Sequence, residues 1–392
     1  MTTLSSRERV LLALEHKEPD RVPFIFGVDL TTGIMRRAYQ KLKDHLGITA
    51  EDRFMYGTWR ELGDARVDEE ILIQLGSDGR GVWDRKPEEI EIRNLKRSPQ
   101  EPYTDEFGVG QIPTGPEEWF PGIHPLEEAG LDALDGFPWP DMDDPSRLQG
   151  VRQRAEDLDA SDEFAVFAAP WLISPFERAL QIQGMDRFLT NMILQPDFAQ
   201  ALLEKLTHLL KRSLRNFLMA SNNHADIVIL ADDLGTQDRL LISPQLYRQM
   251  LKPLHAELIT TIKEQSDAKV FFHSDGDIFD LIDDFIEIGV DILNPIQTSA
   301  GKMANLAELK KRYGQRLSFC GAIDTQKILP LGSPSEVEDE VKRVINLLAP
   351  GGGYLLSSVH TITNDVPPEN ILAMAQAVER YGHYPLDKKI YP

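Results

Sequence analysis

Cysteine is almost absent from this chain: Cys320 stands alone among 392 residues. That excludes an intrachain disulfide and any metal centre built from several thiolates of one chain, so a metal here must rest on nitrogen and oxygen donors. Basic charge is scarce as well. Lys plus Arg number 42 against 63 Asp plus Glu, a net charge of −21, and the basic residues are scattered along the chain. Nucleic acid and an anionic membrane surface are therefore poor partners. No apolar run approaches the length of a bilayer, and the opening MTTLSSRERVLLALEH carries charges inside its apolar pattern, unlike a signal peptide. A cytoplasmic protein is expected. Internal repeats and low-complexity tracts are missing too. With 42% hydrophobic residues the composition is that of a globular chain able to bury one large core or two ordinary ones.

What is present has a rhythm. Ser5 and Glu8 have the spacing of a capping box, Val10, Leu11 and Leu14 share one helical face, and Pro19 stops the helix. Apolar strand-like runs then recur between longer amphipathic segments: RVPFIFGVDL, ILIQLGSD (71–78), FAVFAAP (164–170), DIVILADD (226–233), KVFFHSD (269–275), VDILNP (290–295), LSFCGAID (317–324) and YLLSSVH (354–360). Continuous apolar runs separated by helical patterns are the mark of a parallel sheet buried on both faces. Eight of them predict an α/β fold, a (β/α)8 TIM barrel with an N-terminal helical extension, with an open doubly wound sheet as the alternative. Residues 84 to about 145 break the rhythm. Their alternating pieces EEIEIRNL and YTDEFGVGQI predict a hairpin insertion covering one end of the barrel, followed by the proline-rich crossing GFPWPDMDDP. The whole, 1–392, reads as one domain carrying that insertion.

In a parallel barrel the chemistry collects where strands end. The run ends carry Asp29, Asp78, Trp171, Asp232 with Asp233, His273 with Asp275, Asn294 with Gln297, Asp324 with Gln326, and His360. His273 and Asp275 are two apart, so on extended backbone both face the same way. With His360 from the last run they can share one cation and leave a position open for substrate or water. The alternative gives Asp275 to the cap of a following helix and His273 to a hydrogen-bonded wall. Asp232 and Asp233 can bind a cation, orient a substrate hydroxyl or accept a proton, though Asp before a glycine turn is also ordinary loop chemistry. Gly351 to Gly353 precede a strand instead of opening a helix, which rejects a phosphate loop. Cys320, inside an apolar run without basic neighbours, reads as a buried inert thiol.

The segments RERVLLALEHKEPDRVPF, DDLGTQDRLLISPQLYRQMLKPLHAELI, FFHSDGDI, GVDILNPIQ, FCGAIDTQ and GGGYLLSSVHTITNDVPPENILAM, in that order, resemble the uroporphyrinogen decarboxylase superfamily, a (β/α)8 barrel family. The resemblance implies one of two chemistries. True uroporphyrinogen decarboxylases carry an N-terminal Arg-Gln-Ala-Gly-Arg stretch that holds the carboxylates of a tetrapyrrole. The corresponding FIFGVDLTTGIMRRAYQKL lacks it, and Arg36 and Arg37 fall within a helical pattern, so a polyanionic substrate would be left poorly paired. The other branch comprises zinc methyltransferases that exchange methyl groups with a corrinoid, marked by His-x-Cys and a second Cys before a PxENI-type segment. Here His273-Ser-Asp275 and His360 stand at those positions, with both thiolates replaced.

Imidazole and carboxylate leave a harder, more Lewis-acidic ion than thiolates do. The resemblance therefore implies a methyltransferase taking a methyl group from an oxygen-bearing donor of methyl ether type to a corrinoid (cobalamin) cofactor, with zinc on His273, Asp275 and His360. Asp232 and Asp233 would be the catalytic carboxylates, Asp29, Trp171, Gln237, Asn294 and Gln297 would contact substrate, and the insertion would shape the pocket or dock a corrinoid protein. Expected partners are thus a small-molecule methyl donor and that corrinoid protein, with a homo-oligomer open. A carboxy-lyase acting on a tetrapyrrole or small carboxylate, and a silent binding protein, are the competing classes.

Overall fold

Alternation of side chains along seven short strands decides the architecture. The computed structural model describes residues 4–53, 55, 64–86, 101–115, 118–171 and 174–386. In chain order the strands are β1 (Gly79–Trp83), three of the insertion, β2 (Tyr103–Thr104), β3 (Gly110–Gly115) and β4 (Glu118–Ile123), then β5 (Ala165–Ala169), β6 (Ile227–Ala231), β7 (Lys269–His273), β8 (Ile292–Asn294), β9 (Ser318–Ile323) and β10 (Tyr354–Ser358). The sheet order β1-β5-β6-β7-β8-β9-β10 is parallel throughout. Helices such as Lys252–Gln265, Leu306–Tyr313 and Pro334–Leu348 fill the crossovers. Ile227, Ile229, Phe271, Ile292, Cys320 and Leu355 point into the barrel, whereas Val228, Leu230, Val270 and Phe272 pack outward against the helices. The helix Ser6–Leu14, opened by the capping box of Ser5 and Glu8, adds Val10, Ala13 and Leu14 to the inner cluster. It plugs the barrel floor.

The first run does not form a full strand, yet it occupies the eighth position. Phe24 makes a parallel bridge to Leu356, Ile25 N–H donates to Leu356 O (2.8 Å), and Asp78 N–H donates to Phe24 O (2.8 Å), so residues 22–26 lie between β10 and β1. The barrel closes there. The second run is a correction to the sequence reading: 71–78 is not a strand. Glu69–Leu75 is a helix, with two glutamates in its first turn and Gly76 as a left-handed C-cap at φ 71°, and the strand begins only at Gly79. An apolar run this short has no period that separates the two states.

Asp78 accordingly sits at the entrance of β1, on the floor and not at the mouth. Its carboxylate takes Arg9 Nη1 at 2.6 Å, Arg21 Nη2 at 3.2 Å, the Phe24 N–H at 2.8 Å and the Ser6 hydroxyl at 2.7 Å. Asp20 holds the other side of Arg9 at 2.7 Å.

The insertion forms a three-stranded antiparallel sheet, β2-β3-β4. EEIEIRNL (88–95) lies outside the described residues. Gln111, Trp119 and Pro121 face the cavity at the barrel mouth, while Ile112 and Phe120, paired across β3 and β4, are exposed on the other face. Among the described residues, no helix is long and apolar enough to cross a membrane.

Removing the carboxylate of Asp78 would take from two buried guanidiniums the buried carboxylate they share. Asp78→Ala is expected to lower unfolding free energy by about 3 to 5 kcal/mol. Asp280→Ala, which breaks an exposed pair with Lys302, should cost no more than about 1 kcal/mol. Urea unfolding of both variants checks the contrast, and similar losses would show that Asp78 is no hub.

Candidate active site at the barrel mouth

The C-terminal ends of β6, β7, β8 and β10 bring five predicted residues together, Asp233, His273, Asp275, Asn294 and His360. In register, Ala231 pairs with His273 and His273 with Asn294, so the loops after these positions start level with one another. His273 Nδ1 donates to Asn294 Oδ1 at 2.6 Å, which leaves Nε2 as the lone-pair nitrogen of the neutral ring. That nitrogen lies 3.8 Å from Asp233 Oδ1 and 4.0 Å from Asp275 Oδ1. His360 Nε2 lies 3.9 Å from Asp275 Oδ2, and the two imidazoles are 5.2 Å apart, edge to face. One ligand atom each from His273, Asp275 and His360 falls within 4.8 Å of the others.

Asp275 is held by its backbone. Its N–H donates to Asp233 Oδ1 at 2.9 Å, and the next N–H, of Gly276, donates to Gln297 Oε1 at 2.6 Å. Gly276 has φ 91°, and a Cβ there would come within 2.4 Å of the Gly235 carbonyl carbon, so only glycine lets the two loops approach this closely. The carboxylate itself is less settled: Asp275 Oδ1 is buried and has no hydrogen-bond partner. An orphaned acceptor facing two imidazoles fits a cation of nitrogen and oxygen preference. His360 fits with one adjustment. The Thr361 N–H donates to His360 Nδ1 at 2.7 Å, so the neutral ring carries its proton on Nε2. Offering Nε2 to a cation moves that proton to Nδ1 and gives up the Thr361 contact.

Electrostatics separate the two rings. Burial opposes protonation of His273, but the nearby Asp275 and Asp233 carboxylates and Asn294 outweigh it and raise its pKa. Burial lowers that of His360, with Asp275 opposing.

The other predicted residues divide. Asp29 and Trp171 line the cavity; Asp29 accepts hydrogen bonds from Thr31 and Thr32, and the Trp171 N–H is fixed on Asp84 at 2.7 Å. Asn294 and Gln297 are buried behind it and act on His273 and Gly276. Gln237 is exposed on the loop after β6 and does not reach the cavity. Asp324 folds back onto the N–H groups of Gln326, Lys327 and Ile328.

Asp232 is the main correction. It points away from the cavity and is fully buried, accepting the N–H groups of Phe176 (3.0 Å) and Glu177 (2.9 Å) at the start of helix Pro175–Gln183 and His255 Nε2 at 2.9 Å. Tyr247 O–H backs His255 at 3.3 Å. Side chains alternate along the chain at Asp232-Asp233, so one carboxylate braces the helix and the other faces the mouth.

Asp64, Asp105, Glu106 and Glu177 line the cavity and escaped the sequence reading, and two of them are strongly perturbed. Burial and the neighbouring Asp233 push Glu177 up to about 7. Burial and Asp29 push Asp64 up to about 8. Glu177 sits in the first turn of a helix and Asp64 between apolar segments, where neither spacing nor composition marks them. The cavity measures about 450 Å³, the size of a small-molecule site.

Known proteins of similar sequence and fold identify the family. Residues 131–381 match the family model described as uroporphyrinogen decarboxylase (URO-D). Uroporphyrinogen decarboxylase of Coxiella burnetii is 25% identical over 243 residues, covering 60% of this chain and 62% of that protein. The match thus spans under two thirds of that relative's length. Uroporphyrinogen decarboxylase of Alkalilimnicola ehrlichii is 23% identical over 269 residues, 66% of this chain and 68% of that one. A solved methyltransferase from Methanosarcina mazei superposes with a TM-score of 0.64 at 17% identity, covering 96% of this chain and 99% of that one, and shares its fold.

Opposite roles for adjacent carboxylates are testable. Asp232→Ala unpairs a buried imidazole and two helix N–H groups and should lose about 2 to 4 kcal/mol in denaturant unfolding. Asp233→Ala, at a partly exposed carboxylate, should stay within about 1 kcal/mol of the parent. Equal losses would refute the division.

Proposed function

Because the chain belongs to the uroporphyrinogen decarboxylase family, its barrel mouth is read as an active site, and we propose that it is a metal-assisted methyltransferase moving a methyl group from an oxygen-bearing donor to a corrinoid carried by a partner protein. The observation that carries the reading is the Asp275 carboxylate between two imidazoles, its Oδ1 unpartnered near His273 and its Oδ2 near His360. His273, Asp275 and His360 would hold the metal, for which the nitrogen and oxygen donors suit zinc. When bound, such an ion polarises a donor oxygen as a Lewis acid and favours the oxygen anion that remains once the methyl group has left.

The chain's own residues supply the rest. Asn294 fixes the His273 tautomer, a role whose loss commonly weakens metal affinity about 10- to 100-fold. Asp233 and Glu177 line the donor's side of the cavity, and the raised pKa of Glu177 lets it lend or take a proton near neutral pH. Trp171 and Asp29 bound the substrate volume, and the β2-β3-β4 insertion roofs it. The exposed Ile112 and Phe120 on the outer face of that roof support a docking role for the corrinoid protein. A polycarboxylate substrate fits poorly, since lining carboxylates outnumber the lining Lys86 and Arg178.

Metal analysis of the purified chain tests the centre. His273→Ala and His360→Ala should each lose most of the bound metal while staying folded, and Asn294→Ala should weaken binding by about one to two orders of magnitude. Gln237→Ala should change nothing. Full metal content in both histidine variants would dismiss the assignment. For the reaction, the parent chain should demethylate a methoxylated compound when given reduced corrinoid, and Asp275→Cys should keep metal but slow that reaction. Methyl transfer to a thiol with no activity on methoxylated donors would reverse the direction. Carbon dioxide release from a tetrapyrrole would replace the chemistry.

A further inference from the structure

More acidic side chains line the cavity than its own cations pair. Six acidic residues line it, Asp29, Asp64, Asp105, Glu106, Glu177 and Asp233, against Lys86 and Arg178. Asp105 is paired with Arg178 at 3.0 Å and Glu106 with Arg147, while Asp233 lies beside His273. Three are left. Asp29 accepts only from the hydroxyls of Thr31 and Thr32 and the Thr32 N–H, and Glu177 accepts the Gln181 amide at 3.0 Å. Asp64, 8% exposed, keeps Oδ1 buried without any hydrogen-bond partner. Among the described residues, no Lys or Arg ion pair reaches any of the three.

Aromatic rings line the same cavity: Tyr103, Phe107, Trp119 and Trp171. Two of the rings already carry a cation of the chain over their faces: Arg178 over Phe107 at 4.7 Å and Lys86 over Trp171 at 5.5 Å. Tyr103 and Trp119 meet edge to face at 5.3 Å. We infer that the substrate carries a positively charged alkylated ammonium group, seated between the Asp29 and Asp64 carboxylates and the aromatic roof. This deepens the methyl-transfer reading and rests on it for the identity of the reacting end, which lies at the His273 and His360 side.

A bare inorganic ion suits the place less well. Calcium and magnesium require six or more oxygen ligands, and ring faces supply none. An alkylammonium is weakly hydrated, spreads its charge over its methyl groups, and is stabilised by ring faces together with carboxylates at one remove. Burial first, with Asp29 and Asp233 adding to it, raises Asp64 to about 8 and Glu177 to about 7, and a cation seated beside them would draw both values down.

The test is a binding measurement on the full chain, run on metal-loaded protein and in parallel on protein stripped with a chelator. Tetramethylammonium and choline are titrated by calorimetry against 3,3-dimethylbutan-1-ol, the neutral isostere of choline, at constant ionic strength. Both ammonium ions should bind at least about tenfold more tightly than the alcohol in both preparations. Asp64→Asn and Asp29→Asn should each weaken choline binding about five- to tenfold and leave the alcohol unchanged, with thermal melting showing which variants are folded. Equal affinity for choline and the alcohol would overturn the inference. So would displacement of choline by potassium ions at equal concentration, or unchanged choline affinity in whichever aspartate variant is folded. Ammonium binding without methyl transfer from any donor would sink the methyltransferase reading and leave this one standing. Demethylation of neutral methoxylated donors with no ammonium binding would do the reverse.

Discussion

A parallel barrel with seven ladder strands has to be closed by a segment that makes one bridge, and the buried carboxylate of Asp78 makes that closure hold. Backbone pairing around Phe24 is too sparse to fix residues 22–28 by itself. Asp78 adds the Phe24 N–H and two guanidiniums, one from the plugging helix and one from the segment being fixed. An ion cluster of this kind is stabilising only when each donor and acceptor is met, because the desolvation of three charges is otherwise uncompensated. Here Asp20 meets the remaining face of Arg9, and Val22 O takes an N–H of Arg21.

From that closure the mouth follows. Once residues 22–28 lie between β10 and β1, Asp29 leaves the barrel beside the loop after β10, and Thr361 reaches Leu30 O through its hydroxyl. The wall that carries Asp29 and Asp64 is thereby set next to His360. On the opposite side, the Tyr247, His255 and Asp232 chain fixes the first turn of helix Pro175–Gln183, and with it Glu177. Floor and brace lie outside the cavity. Both determine where its carboxylates stand.

Much of this was legible in the sequence because burial on both faces writes a parallel strand as an uninterrupted apolar run. Six runs of that kind, from FAVFAAP to YLLSSVH, became β5 to β10, and the residues at their ends gave His273, Asp275 and His360. The reading failed where a short apolar run was helical, at 71–78, which also moved Asp78 from the mouth to the floor. It failed again at Asp232. A double carboxylate at a strand end does not reveal which member faces inward, since that depends on where the strand leaves its ladder. Glu177 and Asp64 were invisible for a different reason: their chemistry arises from burial and from neighbours distant in the chain, such as Asp233 and Asp29.

The donor set and the cavity follow one charge logic. Two neutral imidazoles and one carboxylate would leave a bound divalent ion with a single positive charge, whereas a set with two thiolates would leave none. That residual charge needs an anion nearby. Asp233, 3.8 Å from His273 Nε2 and held by the Asp275 N–H, is placed to provide it without displacing a ligand. A bound ion that retained part of its charge would attract a hard oxygen and would stabilise the anion left when a carbon–oxygen bond breaks. Asp29 and Asp64, on the wall beside His360, are not among the three ligands. A cation brought by the substrate would meet these acidic groups on one side and the rings that line the cavity on the other.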